Sequence, residues 1–355
     1  MIKAEWPDKR SPLIASLLAS AWRPAPSVAD CSKEELELLT PLVIKTGAAA
    51  LAWRRVRHSA LKSSRAAVEL HAAYRLYTLR AIICEREVAR IFTFLRSHSI
   101  EPILVKGWAI ARLYCEQGLR PAGDIDLCVR PEHFASAGSV LKKMPEQYWV
   151  DLHCGFEKFG GGSFGEIYER SELVRLGEVF VRVPCAEDHL RVLCIHLLRE
   201  GAWRPLWLCD VAVAVEARPA NFDWDRCLGK NKRWSNWVIS ALRLAHELLA
   251  TDLSGTPASE NQKPLPRWLV RALLKEWESL EPSMAQRHRA PMASYQHIPK
   301  AFLQGLRHRW PNPIEATVSV GGRFNEWPRL PFQLGSYLAR GAKFAVRLPK
   351  LIREY

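Results

Sequence analysis

Leu104-Val-Lys-Gly-Trp-Ala-Ile-Ala-Arg-Leu-Tyr114, followed six residues on by Arg120-Pro-Ala-Gly-Asp-Ile-Asp-Leu127, is the stretch whose reading decides the fold. The run Pro102-Ile-Leu-Val105 is short and apolar and stops at Lys106-Gly107, as a buried strand does. A helix from Trp108 to Cys115 follows directly after the glycine. Asp124-Ile-Asp-Leu-Cys-Val129 alternates polar and apolar and reads as a half-buried strand. Side chains two apart on a strand share a side, so Asp124 and Asp126 present two carboxylates together where the strand leaves a glycine-containing turn. Two like charges so close call for a cation. Mg²⁺ is the natural one, because it takes a few carboxylates together with phosphate oxygens and water; Mn²⁺ is the alternative.

Outward from this pair, Pro131 suits the first position of a helix reaching about Met144. Gln147 to Phe156 contains Trp149-Val-Asp-Leu-His153 and reads as a third strand, which would carry Asp151 beside the first two acids. Three carboxylates around one point suit two-metal phosphoryl transfer. Gly107 would let the backbone approach a phosphate, with the N-terminus of the next helix supplying N–H donors. Lys106 and Arg120 would neutralise phosphate charge. His153, on the same strand face as Asp151, either orients a phosphate or moves a proton, or is a structural histidine.

Residues 99–184 therefore alternate strand and helix around a small mixed sheet, with Glu178 to Val183 as a fourth strand. Residues 1–98 look helical. Ser32 can cap a helix ahead of Glu34 and Glu35. Arg65 to His98 is a long helix whose apolar residues Val68, Leu70, Ala72, Leu76, Leu79, Ile82, Ile83, Val88, Ile91 and Leu95 recur at helical spacing. Residues 185–255 read as a helical region packed on the core. Residues 256–355 form a basic, Pro/Trp-rich region. The fold class is α+β: a small mixed sheet between helical flanks.

The order Lys106-Gly107, Tyr114, Arg120-Pro121, Asp124-Ile-Asp126-Leu127 and Asp151-Leu-His153 resembles the uncharacterised nucleotidyltransferase family of the DNA-polymerase-β-like superfamily. The upstream helices are similar in kind, as is His189 to Asp210 downstream, so the resemblance spans about residues 35–252. It implies that Asp124 and Asp126 bind metal, that Asp151 is the third acid, and that an NTP is the substrate. The implied reaction moves an NMP to an acceptor hydroxyl with release of pyrophosphate. The superfamily usually opens its helix with Gly-Gly or Gly-Ser, where this chain has Lys106-Gly107. The acceptor is not implied: an RNA end, a protein or a small molecule all fit. Two other readings are a non-catalytic nucleotide- or RNA-binding partner protein that keeps the fold, and a peripheral membrane protein acting through its basic C-terminal helix.

Charge favours an anionic partner. Lys+Arg 51 against Asp+Glu 37 gives a net charge of +14 over 355 residues. From Thr256 onward there are sixteen basic and seven acidic residues, an excess of nine, and eleven of the 23 prolines. Arg340, Lys343, Arg347 and Lys350 would form one basic helical face opposite Leu334, Leu338, Ala345, Leu348 and Ile352, with Gly341 and Pro349 weakening a continuous helix. This face suits RNA or another polyanion, or an anionic membrane. Trp268, Trp277, Trp310 and Trp327 lie among basic residues, where base stacking is conceivable.

The nine cysteines are odd in number and contain no C-x-x-C pair, which points to buried free thiols in a reducing cytoplasm rather than disulfides or zinc. No stretch is apolar for the roughly 18 residues a membrane span needs, and a cytoplasmic protein is expected. Gly160-Gly-Gly-Ser-Phe-Gly165 lacks the Lys-Ser/Thr ending of a phosphate loop and reads as a flexible connection between strands. His196 is expected in the core, and Asp210 in a structural role.

Overall fold

The computed structural model describes residues 10–121, 123–144, 149–160, 162–260, 264–278 and 310–354, with side chains to residue 342 in the last stretch. Among the described residues four α-helices precede the sheet: α1 (Arg10–Leu18), α2 (Lys33–Lys45), α3 (Ala49–Val56) and α4 (Arg65–Ser97). Ser32 caps α2 in a full capping box, its hydroxyl accepting from the Glu35 amide while the Glu35 carboxylate accepts from the Ser32 amide.

The sheet holds β1 (Ile103–Val105), β2 (Ile125–Val129) and β3 (Val150–Cys154) in the order β1-β2-β3. β1 runs antiparallel to β2, and β3 parallel to it. Between them lie α5 (Gly107–Ala111) and α6 (Phe134–Leu141), the latter entered by a single tight turn at Pro131–His133. α5 ends at Ala111, short of the Cys115 expected from its apolar run; the chain instead turns so that Gly118 (φ +86) packs on Thr78 of α4. The 178–183 strand exists as β5 (Val179–Val183), but it pairs with β4 (Glu172–Leu176) in a separate two-stranded sheet, not with the first. The 160–165 segment does not join strands either. It leads into α7 (Phe164–Arg170), whose capping box Ser163/Glu166 was hidden among the glycines.

Each face of the three-stranded sheet has its own partner. Leu104, Ile125, Leu127 and Val129 pack with Val88, Ile91, Phe92 and Leu95 of α4. Ile103, Val105 and Cys128 face the other way, onto Phe156, Phe159, Phe164 and Val192. α4 thus buries Leu70, Val88, Ile91 and Leu95, but Val68, Leu76, Leu79, Ile82 and Ile83, read as part of the same periodic pattern, are exposed. The buried stripe runs the whole helix, through Ala66, Leu70, Tyr77, Ala81, Cys84, Val88, Ile91 and Leu95, and the five exposed residues lie off it.

Downstream come α8 (Ala186–Arg199), α9 (Pro205–Glu216), α10 (Trp224–Leu228) and α11 (Lys232–Leu249), then α12 (Pro257–Glu260), α13 (Arg267–Trp277), α14 (Pro313–Ser319) and α15 (Leu330–Glu354). The largest core joins α1–α3 to α8, α9 and α11, and also takes in Leu269, Leu273, Leu274 and Trp277 of α13 and Ile314 of α14. Trp277 is wholly buried, its indole N–H donating to the Ala202 carbonyl at 2.9 Å, so it is a core residue and not a stacking platform. Trp268 packs inward, tilted against Phe324 and under the Arg329 guanidinium, whereas Trp327 is 70 % exposed. α15 runs unbroken through Gly341 and Pro349; the one backbone hydrogen bond that a proline removes does not stop it here. Arg340 is engaged by Glu315 at 2.5 Å, and the side chains of Lys343, Ala345, Arg347, Leu348, Lys350 and Ile352 lie outside the described residues.

The cysteines are free; Cys84, Cys128, Cys185, Cys194, Cys209 and Cys227 are buried, while Cys115 and Cys154 are exposed, contrary to a uniformly buried set. Among the described residues no helix is long and apolar enough to cross a membrane.

Candidate active site

Parallel pairing of β2 and β3 sets Asp126 opposite Asp151 and Cys128 opposite His153. Because the pleat repeats every two residues, these four side chains leave one face of the sheet, the face that also carries Ile103 and Val105. The apolar members of that face are covered by phenylalanines. The acids sit at its open end.

Asp126 is 3 % exposed and is gripped from two sides. Lys106 Nζ lies 2.5 Å from its Oδ1, and His153 Nε2 donates to the same oxygen at 3.1 Å. His153 Nε2 is also 3.5 Å from Asp151 Oδ2, and Asp151 itself is half exposed. Phe159 closes the floor, edge-on to the His153 ring at 5.3 Å and 5.5 Å from the Lys106 ammonium. Burial pushes the Asp126 carboxyl up, but the His153 hydrogen bond and the Lys106 cation outweigh it and hold the group below its usual value. It is an anion at neutral pH.

The backbone carries strain at this point. Lys106 has φ +55, a left-handed value that a side chain disfavours, and Gly107 follows with φ +41. Such a conformation costs of order 1–3 kcal/mol and collects at functional sites. A side chain at Gly107 would find room, its nearest neighbour being the Asp124 carbonyl at 3.5 Å; the glycine is required by its φ, not by space.

Asp126, Asp151 and His153 each offer a ligand atom, all within 4.8 Å of one another. Two carboxylates and an imidazole fit a divalent cation. The buried His153 Nδ1 has no hydrogen-bond partner among the described residues. Asp124, read from the sequence as the partner of Asp126, stands exposed just before β2 and is not in this triad. Arg120 is buried and turned to Asp210 of α9 at 3.2 Å, and Tyr114 donates to the other Asp210 oxygen at 2.8 Å. Asp210 therefore sits within α9 in the structural role expected of it, as the anchor of Arg120 and Tyr114.

The sequence profile described as "Uncharacterised nucleotidyltransferase" matches residues 32–148 and 150–250, more than half of the 355 residues. The chain belongs to this uncharacterised nucleotidyltransferase family. No curated protein and no solved structure matches it. The family match runs from the helix capped by Ser32 to the end of α11, and so contains every residue of the site.

Two nearby groups, Glu200 and Arg204, escaped the sequence reading of this family member, and a third, His196, was expected there only as a core residue. Glu200, which ends α8, is pushed up by burial and lies within the fields of Lys106, Asp151 and Asp126. His196 packs edge-on against Trp207 at 4.5 Å, and burial, with the repulsion of Lys106, Arg120 and Arg204, holds it well below the usual histidine value. Arg204 opens α9. None stands in a local motif, since α8 and α9 bring them to the sheet from 45 to 53 residues beyond Asp151 and 70 to 78 beyond Asp126.

Proposed function

We propose that this chain transfers a nucleoside monophosphate from an NTP to an acceptor hydroxyl and releases pyrophosphate. The observation that carries this is the Asp126–Asp151–His153 cluster, set on adjacent parallel strands beside a strained strand–glycine–helix turn. Family membership supports an NTP as substrate.

Asp126 and Asp151 would hold Mg²⁺ or Mn²⁺, with Asp124, two residues upstream, available as a further acid. A divalent ion there supplies Lewis acidity, acidifying the acceptor hydroxyl and neutralising the leaving pyrophosphate. The protein's own part is positioning and charge. Lys106 neutralises Asp126 and presents a cation at the α5 N-terminus. Gly107 provides the turn that brings backbone N–H groups toward a phosphate. Arg120, tied to Asp210, fixes the turn that carries Asp124. His153 orients both aspartates through one nitrogen.

The acceptor we favour is RNA or another polyanion, on the strength of the excess of nine positive charges after residue 255. Incubation with each α-³²P-labelled NTP, Mg²⁺ and separate pools of RNA, protein and small molecules tests the reading. Label in one pool, lost in Asp124→Ala/Asp126→Ala, establishes the activity and the acceptor class. Label in no pool, with no pyrophosphate released, leaves a binding protein of this fold.

A further inference from the structure

Three cations converge around His196, whose ring feels Lys106, Arg120 and Arg204 together with His153. Two have acids of their own: Lys106 has Asp126 and Arg120 has Asp210. Arg204 makes no ion pair among the described residues. Yet the fold holds it with care. Its Nε donates to the Thr46 carbonyl at 2.7 Å. Its guanidinium stands 6.0 Å from the Trp203 ring and 5.7 Å from the Trp207 ring. Its tip rests on Gly47, where φ is +76 and a Cβ would come within 2.5 Å of Nη2 and 3.2 Å of Pro121. Arg204 and Pro121 are therefore both held against Gly47, and Arg204 lies within the field of Asp124. Burial, with the repulsion of Arg120, lowers its pKa to about 10, against the opposing pull of Asp210 and Asp124, so it keeps its charge at neutral pH with no acid in ion-pair contact among the described residues. The indole N–H of Trp203 beside it is buried without a partner among the described residues.

We propose that Arg204 is a phosphate-binding residue, which together with the Trp203 indole N–H receives the triphosphate of the NTP. This rests on the nucleotidyltransferase reading and adds to it the residue that selects triphosphates. Guanidinium nitrogens not used by Thr46 supply a fork matched to phosphate oxygens. The aromatic rings and the glycine fix that fork before the ligand arrives, so little side-chain entropy is lost on binding.

A purely structural role is the competing explanation, because a cation at the α2 C-terminus also favours the helix dipole. Equilibrium binding separates the two. The full chain, Arg204→Gln and Arg204→Lys are titrated in Mg²⁺ with each NTP, the matching nucleosides and inorganic tripolyphosphate, following tryptophan fluorescence, and Tm is measured alongside. The expected result is weaker NTP and tripolyphosphate binding in Arg204→Gln by about ten- to a hundredfold, the worth of a charge-assisted hydrogen bond. Nucleoside binding and Tm stay unchanged, Arg204→Lys recovers part of the affinity, and the wild-type fluorescence responds to NTP. Unchanged NTP affinity in Arg204→Gln, with or without a lower Tm, overturns the inference while leaving the nucleotidyltransferase reading in place. Wild-type protein that binds neither NTP nor tripolyphosphate overturns both.

Discussion

Asp126 and Asp151 make opposite demands on the protein although they face each other across two strands. Asp126 is the buried counter-charge of Lys106, whose side chain is only 9 % exposed. Asp126→Asn leaves that ammonium uncompensated and should cost about 3 kcal/mol in denaturant unfolding. Asp151 is half exposed, and Asp151→Asn should stay within about 0.5 kcal/mol of wild type while losing metal affinity. A second prediction concerns two buried histidines. Burial above all holds His189 down to about 3 and His196 well below 6.5, so both stay neutral in the fold while the unfolded chain protonates near 6.5. The unfolded state then binds more protons below 6.5, and stability falls as pH drops from 6.5 toward about 3, with a slope of up to about 1.4 kcal/mol per pH unit for each histidine. Unfolding midpoints measured from pH 7 to 4 should show this fall, and His189→Gln should flatten it. At this scale Asp126 and Asp151 were legible, because alternation along a strand is written in consecutive residues, whereas the same alternation put Asp124 beside Asp126 although it stands before β2, outside the cluster. The partnership of Arg120 with Asp210 was not, since 90 positions separate them.

Elements here are set by their ends as much as by their apolar stripes. The Ser32 capping box could be read directly from Ser32 and Glu35, and Ser32→Ala should cost about 1 kcal/mol. Gly118 was not readable, because its role lies in α4. A Cβ there would meet the Thr78 backbone at 2.8 Å, at a φ of +86. Gly118→Ala should therefore destabilise by more than about 1 kcal/mol and displace the turn that leads to Arg120, which thermal unfolding and near-ultraviolet circular dichroism would register. The same distinction explains the strands. β2 and β3 were visible as alternating or apolar runs. β4 (Glu-Leu-Val-Arg-Leu) forms a hairpin with β5 around Gly177, and its pattern alone does not separate it from the end of α7.

Over the whole molecule, the basic C-terminal region is compositionally distinct yet shares the main core. Trp277→Ala should cost about 3–5 kcal/mol, and removal of residues 264–355 should lower the unfolding midpoint sharply by exposing the faces of α1 and α8 that α13 and α14 cover. If truncation left stability unchanged, this packing would not hold in solution. Composition marked the region out because charge and proline are counted residue by residue; its docking depends on a few large side chains meeting distant helices. All of this architecture serves to hold two strands side by side so that Asp126, Asp151 and His153 meet. The most direct test is electron paramagnetic resonance of Mn²⁺ titrated into the full chain with an NTP whose α–β bridge is methylene, for wild type and Asp151→Asn. Binding in the wild type that weakens about tenfold or more in Asp151→Asn, with the fold intact, is the predicted result. Equal Mn²⁺ binding by the two proteins would contradict a metal centre at this cluster.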